Sequence, residues 1–276
     1  MNSHAILAIA TKELLDAVRG RWLLLFTAVF TLLALGMSYI SLAGSGVSGF
    51  GGFGPTSAAL VNLVLFLLPL AGLMIGAGSI ATERDRGTLH LLLAQPVRPS
   101  DVFLGKYIGL ALAIIVSLLI AFAATACVLA IKAGGSDVAS FLALMGHTVF
   151  LGLSMLSVGV LVSAAAGRGV VAGAAAITLW LLLVLLGDLA LMGSAVAFRM
   201  GASELFYLSV LNPLQAFKLA TMQSIGASLD TLGPAGIFAM QEYGKRLPLV
   251  LYSVLTAWTV IPFSIAGVLF CWRPRP

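Results

Sequence analysis

The sequence predicts an all-α integral membrane protein with six transmembrane helices. Three observations carry that expectation. Hydrophobic residues make up 61% of the 276 positions and charged ones only 9%, with a mean hydropathy of +1.11, whereas soluble domains carry about 25% charged residues. Six apolar runs reach or exceed the roughly 20 residues that a helix needs to cross a bilayer. Basic residues then fall mainly in alternate connections between those runs. A lipid-facing barrel would need strict alternation of polarity, which these runs do not show.

Residues 3–20 open the chain. Ile6, Ala10, Leu14 and Val18 recur every four positions while Lys12, Glu13, Asp16 and Arg19 cluster elsewhere, which predicts an amphipathic helix lying in a membrane interface. The first span is expected over 22–42. Its long apolar run and the polar leader of about twenty residues argue against a cleaved signal peptide. A Gly/Ser-rich connection over 44–55 leads to the second span, 57–80. The remaining spans are expected over 107–131, 138–166, 170–197 and 247–272, all within one transmembrane domain. Lys12, Arg19 and Arg21 precede the first span. Arg84, Arg86, Arg98 and Lys106 lie between the second and third, Arg168 between the fourth and fifth, and Arg273 and Arg275 after the sixth. Both termini are therefore expected in the cytoplasm of a bacterial inner membrane. The net charge of +5 is met by that placement and by anionic lipid, with no need for a nucleic acid.

The densest polar cluster lies between spans two and three. Thr82-Glu83-Arg84-Asp85 fits a helix-capping pattern, with Thr82 as cap and Asp85 at the third helical position. Glu83 and Asp85 also suit the positive end of a helix dipole. Leu89, Leu92 and Leu93 form an apolar stripe. Pro96 and Pro99 stop that helix, and Ser100 is placed to cap the next. A short helix of this kind docks into a groove on a soluble protein, and serves equally as an interfacial connector. Between spans five and six, Asn212-Pro213 separates two short amphipathic helices expected at the outer membrane face.

The run Glu83-Arg-Asp-Arg-Gly-Thr-Leu-His-Leu-Leu-Leu-Ala-Gln-Pro-Val-Arg98, followed by Gly105-Lys106, resembles the segment after the second span of type-two ABC exporter permeases. Six spans with both ends inside is also that family's layout. The resemblance implies that this loop holds a cytoplasmic coupling helix engaging a separate ATPase subunit, with Glu83, Arg84, Asp85, Gly87, Thr88, Leu89, Leu92, Pro96 and Arg98 as coupling positions. The opening Ala8-Ile-Ala-Thr-Lys-Glu-Leu-Leu-Asp16 and the run Leu211-Asn-Pro-Leu-Gln-Ala-Phe-Lys-Leu219 are similar to a branch that supports maturation of the copper enzyme nitrous oxide reductase. That likeness implies a second copy of the permease, two ATPase copies carrying ATP and Mg, a periplasmic partner, and transport of a sulfur species or copper, or mechanical work, for a copper–sulfide centre.

Other constellations are weaker. The chain has no Gly-x-x-x-x-Gly-Lys-Ser/Thr phosphate loop, so ATP is expected on another chain. Asp188, late in the fifth run near the outer leaflet, and His147, near the outer part of the fourth, are candidate pathway or gate residues. Nine methionines are scattered without a metal-binding spacing, and Cys127 and Cys271 form no pairing pattern, so no metal site is expected. Gly72-x-x-x-Gly76, Gly105-x-x-x-Gly109 and Gly169-x-x-x-Gly173 permit close helix approach. Two competing classes remain. An intramembrane enzyme would use Glu83, Asp85 and His90, and an ATP-independent secondary transporter would need matching broken helices, which only Pro69 and Pro262 suggest.

Overall fold

The computed structural model describes residues 2–44, 53–133, 138–197, 201–224 and 234–272. Among them all regular structure is helical. In chain order the helices are α1 (Ser3–Arg19), α2 (Arg21–Gly44), α3 (Phe53–Asp85), α4 (Thr88–Leu93), α5 (Pro99–Ala133), α6 (Val138–Ala165) and α7 (Gly169–Ala197). There follow α8 (Ala202–Leu211), α9 (Pro213–Ser224), α10 (Pro234–Tyr243), a 3-10 turn over Gly244–Arg246 and α11 (Leu247–Trp272). Five of them (α2, α3, α5, α6 and α11) are long and apolar enough to cross a membrane. The expected fifth span falls on α7, a helix of 29 residues, whose described apolar stretch is Gly169–Leu185. The outer connection expected over 44–55 lies mostly outside the described residues.

Most helices overshoot the expected spans because sequence periodicity marks apolar runs, not where backbone hydrogen bonding stops. The second span, expected to end at residue 80, continues as α3 to Asp85. The third starts eight residues early, at Pro99. Proline is well suited to a first helical position, since its missing N–H would have no partner there.

The core centres on α6. In its apolar stretch 67% of positions are buried within the chain, against 28% in α2 and 22% in α11. Its chief neighbours are α3 and α11. In lipid no hydrophobic force draws such helices together, so close van der Waals approach must do it. Glycine provides it here. A Cβ on Gly76 would lie 2.6 Å from the Leu156 carbonyl oxygen, and one on Gly159 2.5 Å from that of Leu73. Gly105 and Gly109 of α5 do the same for α1, meeting Ile9 and the Ala10 carbonyl. The third glycine pair is split: a Cβ on Gly169 would meet Thr82 Oγ1 of α3 at 3.0 Å, whereas nothing lies within 4 Å of one on Gly173.

Two further features answer the lipid's demand that backbone groups be satisfied internally. Pro69 lacks the N–H that would bond the Leu65 carbonyl of α3, and at the adjoining Phe66 carbonyl Trp180 of α7 donates its indole N–H at 3.0 Å. At the α8–α9 junction the Asn212 side chain accepts from the Leu214 N–H at 2.9 Å, while its amide donates to the Leu183 carbonyl of α7 at 2.8 Å. Asn212-Pro213 thus breaks the helix as expected. The character of α9 is not as expected, however. Leu214, Gln215, Ala216, Phe217, Leu219, Ala220 and Thr221 are all buried, so α9 is wedged among α3, α6, α7 and α11 rather than lying as an amphipathic surface helix. Its sequence holds one charged residue, Lys218, too few to define a solvated face.

Gly76→Val forces a branched side chain into backbone and is expected to destabilise the chain by about 2 kcal/mol. Gly173→Ala should be neutral. Thermal unfolding of the two variants in detergent checks the contrast.

Candidate functional site

The end of α3 organises the charged cluster. Arg86 N–H bonds to Thr82 O and Gly87 N–H to Arg84 O, both at 3.1 Å. Gly87 takes φ +71°, the left-handed conformation with which helices commonly end. The helix α4 follows at once. The expected cap at Thr82 is therefore overturned: Thr82 lies inside α3, because the apolar face of that helix carries one turn further than the charges suggest. Glu83 and Asp85 consequently sit at the negative end of a helix dipole, where carboxylates need other partners.

Each finds one. Glu83 is held by Lys106 Nζ of α5 at 2.6 Å, with Lys12 of α1 at 3.5 Å. Asp85 accepts the backbone N–H of Gly169 at 2.6 Å, capping the start of α7. Arg84 donates to the Ala166 carbonyl in the same α6–α7 turn. The two neighbours thus face α7 while Glu83 faces α5. The acid pair imagined for an intramembrane enzyme does not converge, and the His90 side chain lies outside the described residues.

Lys106 is the centre of the site and is 2% exposed. Besides Glu83 it binds Glu13 of α1 at 2.8 Å and reaches the Ser79 carbonyl at 3.4 Å. Glu13, itself 7% exposed, also meets Lys12 at 3.1 Å, and Lys12 meets Asp16 at 3.2 Å. Burial alone would lower the Lys12 pKa. Attraction and a hydrogen bond from Glu13, aided by Glu83 and Asp16, outweigh that and raise it above the ordinary lysine value. Lys12 therefore stays cationic throughout the physiological range. The expected apolar stripe of α1 is shifted, since Glu13 joins Ile9 and Ala10 in the buried face while Val18 is exposed. A charge that has a buried partner behaves as an inward residue.

One turn before the charges, Ser163 of α6 enters the hydrogen-bond ladder of α3. Its hydroxyl donates to the Ala77 carbonyl at 2.6 Å and accepts from the N–H groups of Ile80 and Ala81 at 3.0 and 2.8 Å. Ser79 meanwhile donates to the Gly76 carbonyl at 2.6 Å. Side chains inserted in this way are a recognised cause of local helix bending.

The loop itself divides into inward and outward residues. Leu89 is 6% exposed, and Leu92 and Leu93 pack partly against the core, so the expected apolar stripe seats α4 on its own bundle. Thr88 is exposed, its hydroxyl 3.3 Å from the Glu83 carbonyl. Leu91, which the stripe omitted, is 71% exposed. Pro96 and Arg98 are exposed, and Gln95 and Val97 close a tight turn at 2.7 Å. Ser100 does not cap α5, because Pro99 already begins it. The Arg98 carbonyl takes the N–H groups of Asp101 and Val102 instead. A cleft of about 540 Å³ opens between α1, α3 and α4, its wall including Lys12, Asp16, Glu83, Arg86, Leu91 and Gln95.

His147 lies far from this cluster. It is buried between α6 and α11, its Nε2 2.8 Å from the Tyr252 hydroxyl and its ring stacked on Tyr252. Asp188 lies on α7, but its side chain is outside the described residues. Among the described residues no three His, Cys, Asp or Glu side chains converge as a metal site would require.

Sequence reading missed Lys106 as the hub, and with it Glu13. One cue was present: Lys106 stands between Gly105 and Gly109, whose spacing already called for a helix at contact distance, and a lysine in such a seam has to be buried.

Long apolar helices gathered about one compact charged end, which carries a short helix and a cleft, define an integral membrane bundle. Over residues 7–273 the chain matches the ABC-2 family transporter protein family, and it belongs to that family. It is similar to the "Probable ABC transporter permease protein NosY" of Stutzerimonas stutzeri, at 31% identity over 95% of this chain and 96% of the relative. The protein of the same name from Pseudomonas aeruginosa is 32% identical, over 96% and 98%. The chain is thus an ABC transporter permease subunit, and ATP hydrolysis belongs to a separate subunit.

Lys106→Met would take from Glu13 and Glu83 their buried shared cation, leaving the half-exposed Lys12 as the other. Removing one partner of a buried ion cluster costs about 3–5 kcal/mol. Adding Glu13→Gln should recover part of that loss, and a double-mutant cycle on unfolding in detergent reads the coupling directly.

Proposed function

We propose that this chain is the membrane half of an ABC machine that assembles the copper–sulfide centre of nitrous oxide reductase. It sits in the bacterial inner membrane with both termini cytoplasmic and pairs with a second copy of itself. A NosF-like ATPase supplies ATP and Mg from the cytoplasm, and a NosD-like protein receives cargo or force on the periplasmic side. The cargo is a sulfur species or copper. Both curated relatives carry the NosY name over nearly their whole length, which supports this assignment.

Residues 83–98 are the coupling segment in this reading. The observation that carries it is Leu91, a large apolar side chain 71% exposed on the rim of a charged cleft. An amphipathic helix offers a soluble partner's groove such a side chain as an anchor, and burying it there removes apolar surface from water. Leu91, Thr88, Pro96 and Arg98 meet the ATPase, whereas Glu83, Leu89 and Leu92 pass its motion inward. When ATP draws two ATPase copies together, α4 moves with them. The Glu83–Lys106–Glu13 cluster then pulls α5 and α1, and Arg84 and Asp85 pull the α6–α7 turn.

Leu91→Glu is expected to cut co-purification of the ATPase and reductase maturation at least tenfold while leaving thermal stability unchanged. Leu89→Glu should instead lower stability, by about 3 kcal/mol, because it buries a charge without a partner. Normal ATPase retention and normal reductase assembly in Leu91→Glu would overturn the proposal.

A further inference from the structure

The break between α8 and α9 lies at membrane depth. Gly169 opens α7 at the charged end, where Asp85 caps it. Leu183 stands about 21 Å further along α7 at the rise of an α-helix, and its carbonyl takes the Asn212 side-chain amide at 2.8 Å. A hydrocarbon core is about 30 Å thick, so Asn212 sits roughly 9 Å short of the boundary remote from the charges. From there α9 climbs back. The carbonyl of its last residue, Ser224, accepts the Ser140 hydroxyl in the first turn of α6 at 3.4 Å, and the opposite end of α6 is the one that Arg84 holds at the charged end. A helix interrupted at such depth must find partners for its backbone within the protein. The Asn212 N–H bonds the Ser209 carbonyl at 3.1 Å and the Ala216 N–H the Asn212 carbonyl at 3.0 Å. The Leu214 N–H bonds the Asn212 side chain, and Pro213 has no N–H to satisfy.

Polarity along α8 follows the same descent. At its start the exposed Glu204 accepts the Gly201 N–H at 3.1 Å. Beyond Glu204 its only polar side chains are Tyr207 and Ser209. Ser209 is buried and donates to the Phe206 carbonyl, and the Tyr207 hydroxyl lies 3.4 Å from that of Tyr243. One face of α8 packs inward through Leu205, Phe206 and Ser209, with Phe206 against Phe238 and Tyr243 of α10. The other face, Tyr207, Leu208 and Leu211, is exposed, Leu211 by 69% at the deepest point of the descent. A water-filled vestibule would be lined by polar groups, and these positions offer only the Tyr207 hydroxyl near the top. Contacts between membrane helices favour small residues that let backbones approach, and these three side chains are all large. Leu181, Leu182 and Leu185 of α7 are likewise exposed at this depth. We infer that the Tyr207–Leu208–Leu211 face of α8 is a lipid-docking surface, covered by phospholipid acyl chains in the half of the bilayer remote from the charged end. The surface is independent of the ATPase and of the cargo.

Spin labels on single cysteines provide the test, with Cys127→Ala and Cys271→Ala as background and the permease held with its ATPase in nanodiscs of phosphatidylethanolamine and phosphatidylglycerol. Leu211→Cys and Leu208→Cys carry the label in separate samples, so that one position still decides if the other unfolds the chain. Leu32→Cys on the exposed face of α2 is the lipid reference, and Glu204→Cys is the water reference. Collision rates are read with oxygen, which enriches in hydrocarbon, and with a water-soluble nickel chelate, which hydrocarbon excludes. At both test positions oxygen collisions should fall within about twofold of Leu32→Cys, and nickel collisions roughly fivefold or more below Glu204→Cys, because the hydrocarbon region holds no water. Nickel collisions equal to those at Glu204→Cys would overturn the inference in favour of a water-lined vestibule. Low collision rates with both reagents would overturn it in favour of a protein cover, which spin–spin broadening would identify as a second copy of this chain.

Discussion

The burial of Lys106 between two carboxylates from different helices is the constraint on which the charged end depends. An ammonium at 2% exposure is tolerable only if its charge is answered locally. Glu13 answers from α1 and Glu83 from α3. This obliges three helices that are distant in sequence to meet at one point. Gly105 and Gly109 let α1 come close enough for Glu13 to reach, so the ion cluster and the glycine seam are two halves of one arrangement. Neither works alone: the glycines bring backbones together without choosing a register, and the charges choose a register without bringing backbones together.

The same end of α3 is bound on its other side by hydrogen bonds to backbone. Asp85 caps α7 and Arg84 holds the α6–α7 turn. Consecutive residues of one helix end therefore point to opposite halves of the bundle. The short helix α4, seated through Leu89, rides on this junction. A displacement applied there has two rigid routes inward and little slack in either, because each route begins with a charge-assisted contact of 2.6 Å.

Much of the architecture was legible from apolar run length alone, since a helix must satisfy its own backbone in lipid. The break at Asn212-Pro213 was legible from local chemistry, and the structure adds that the Asn212 side chain bonds on both sides of it. Local rules failed where tertiary partners decided. Thr82 and Ser100 have the right neighbours for caps, yet α3 runs past one and Pro99 opens α5 before the other. The stripe Leu89, Leu92 and Leu93 was read correctly as one face, but a stripe does not say whether it faces a partner or its own core. Glu13 and Lys106 were the hardest, because the partners that let them be buried lie on other helices, which local spacing does not reveal. Of the six glycines in the three pairs, Gly173 alone has open space where a Cβ would stand, and spacing by itself cannot tell it from the rest.

Ser163 gives α3 an unusual property. Near Ala77 a hydroxyl belonging to α6 joins the backbone groups of α3, so the two helices share hydrogen bonds there as well as van der Waals contact. Parting the charged tip of α3 from α6 would cost those bonds in addition to packing, which ties the tip to the most enclosed span of the bundle.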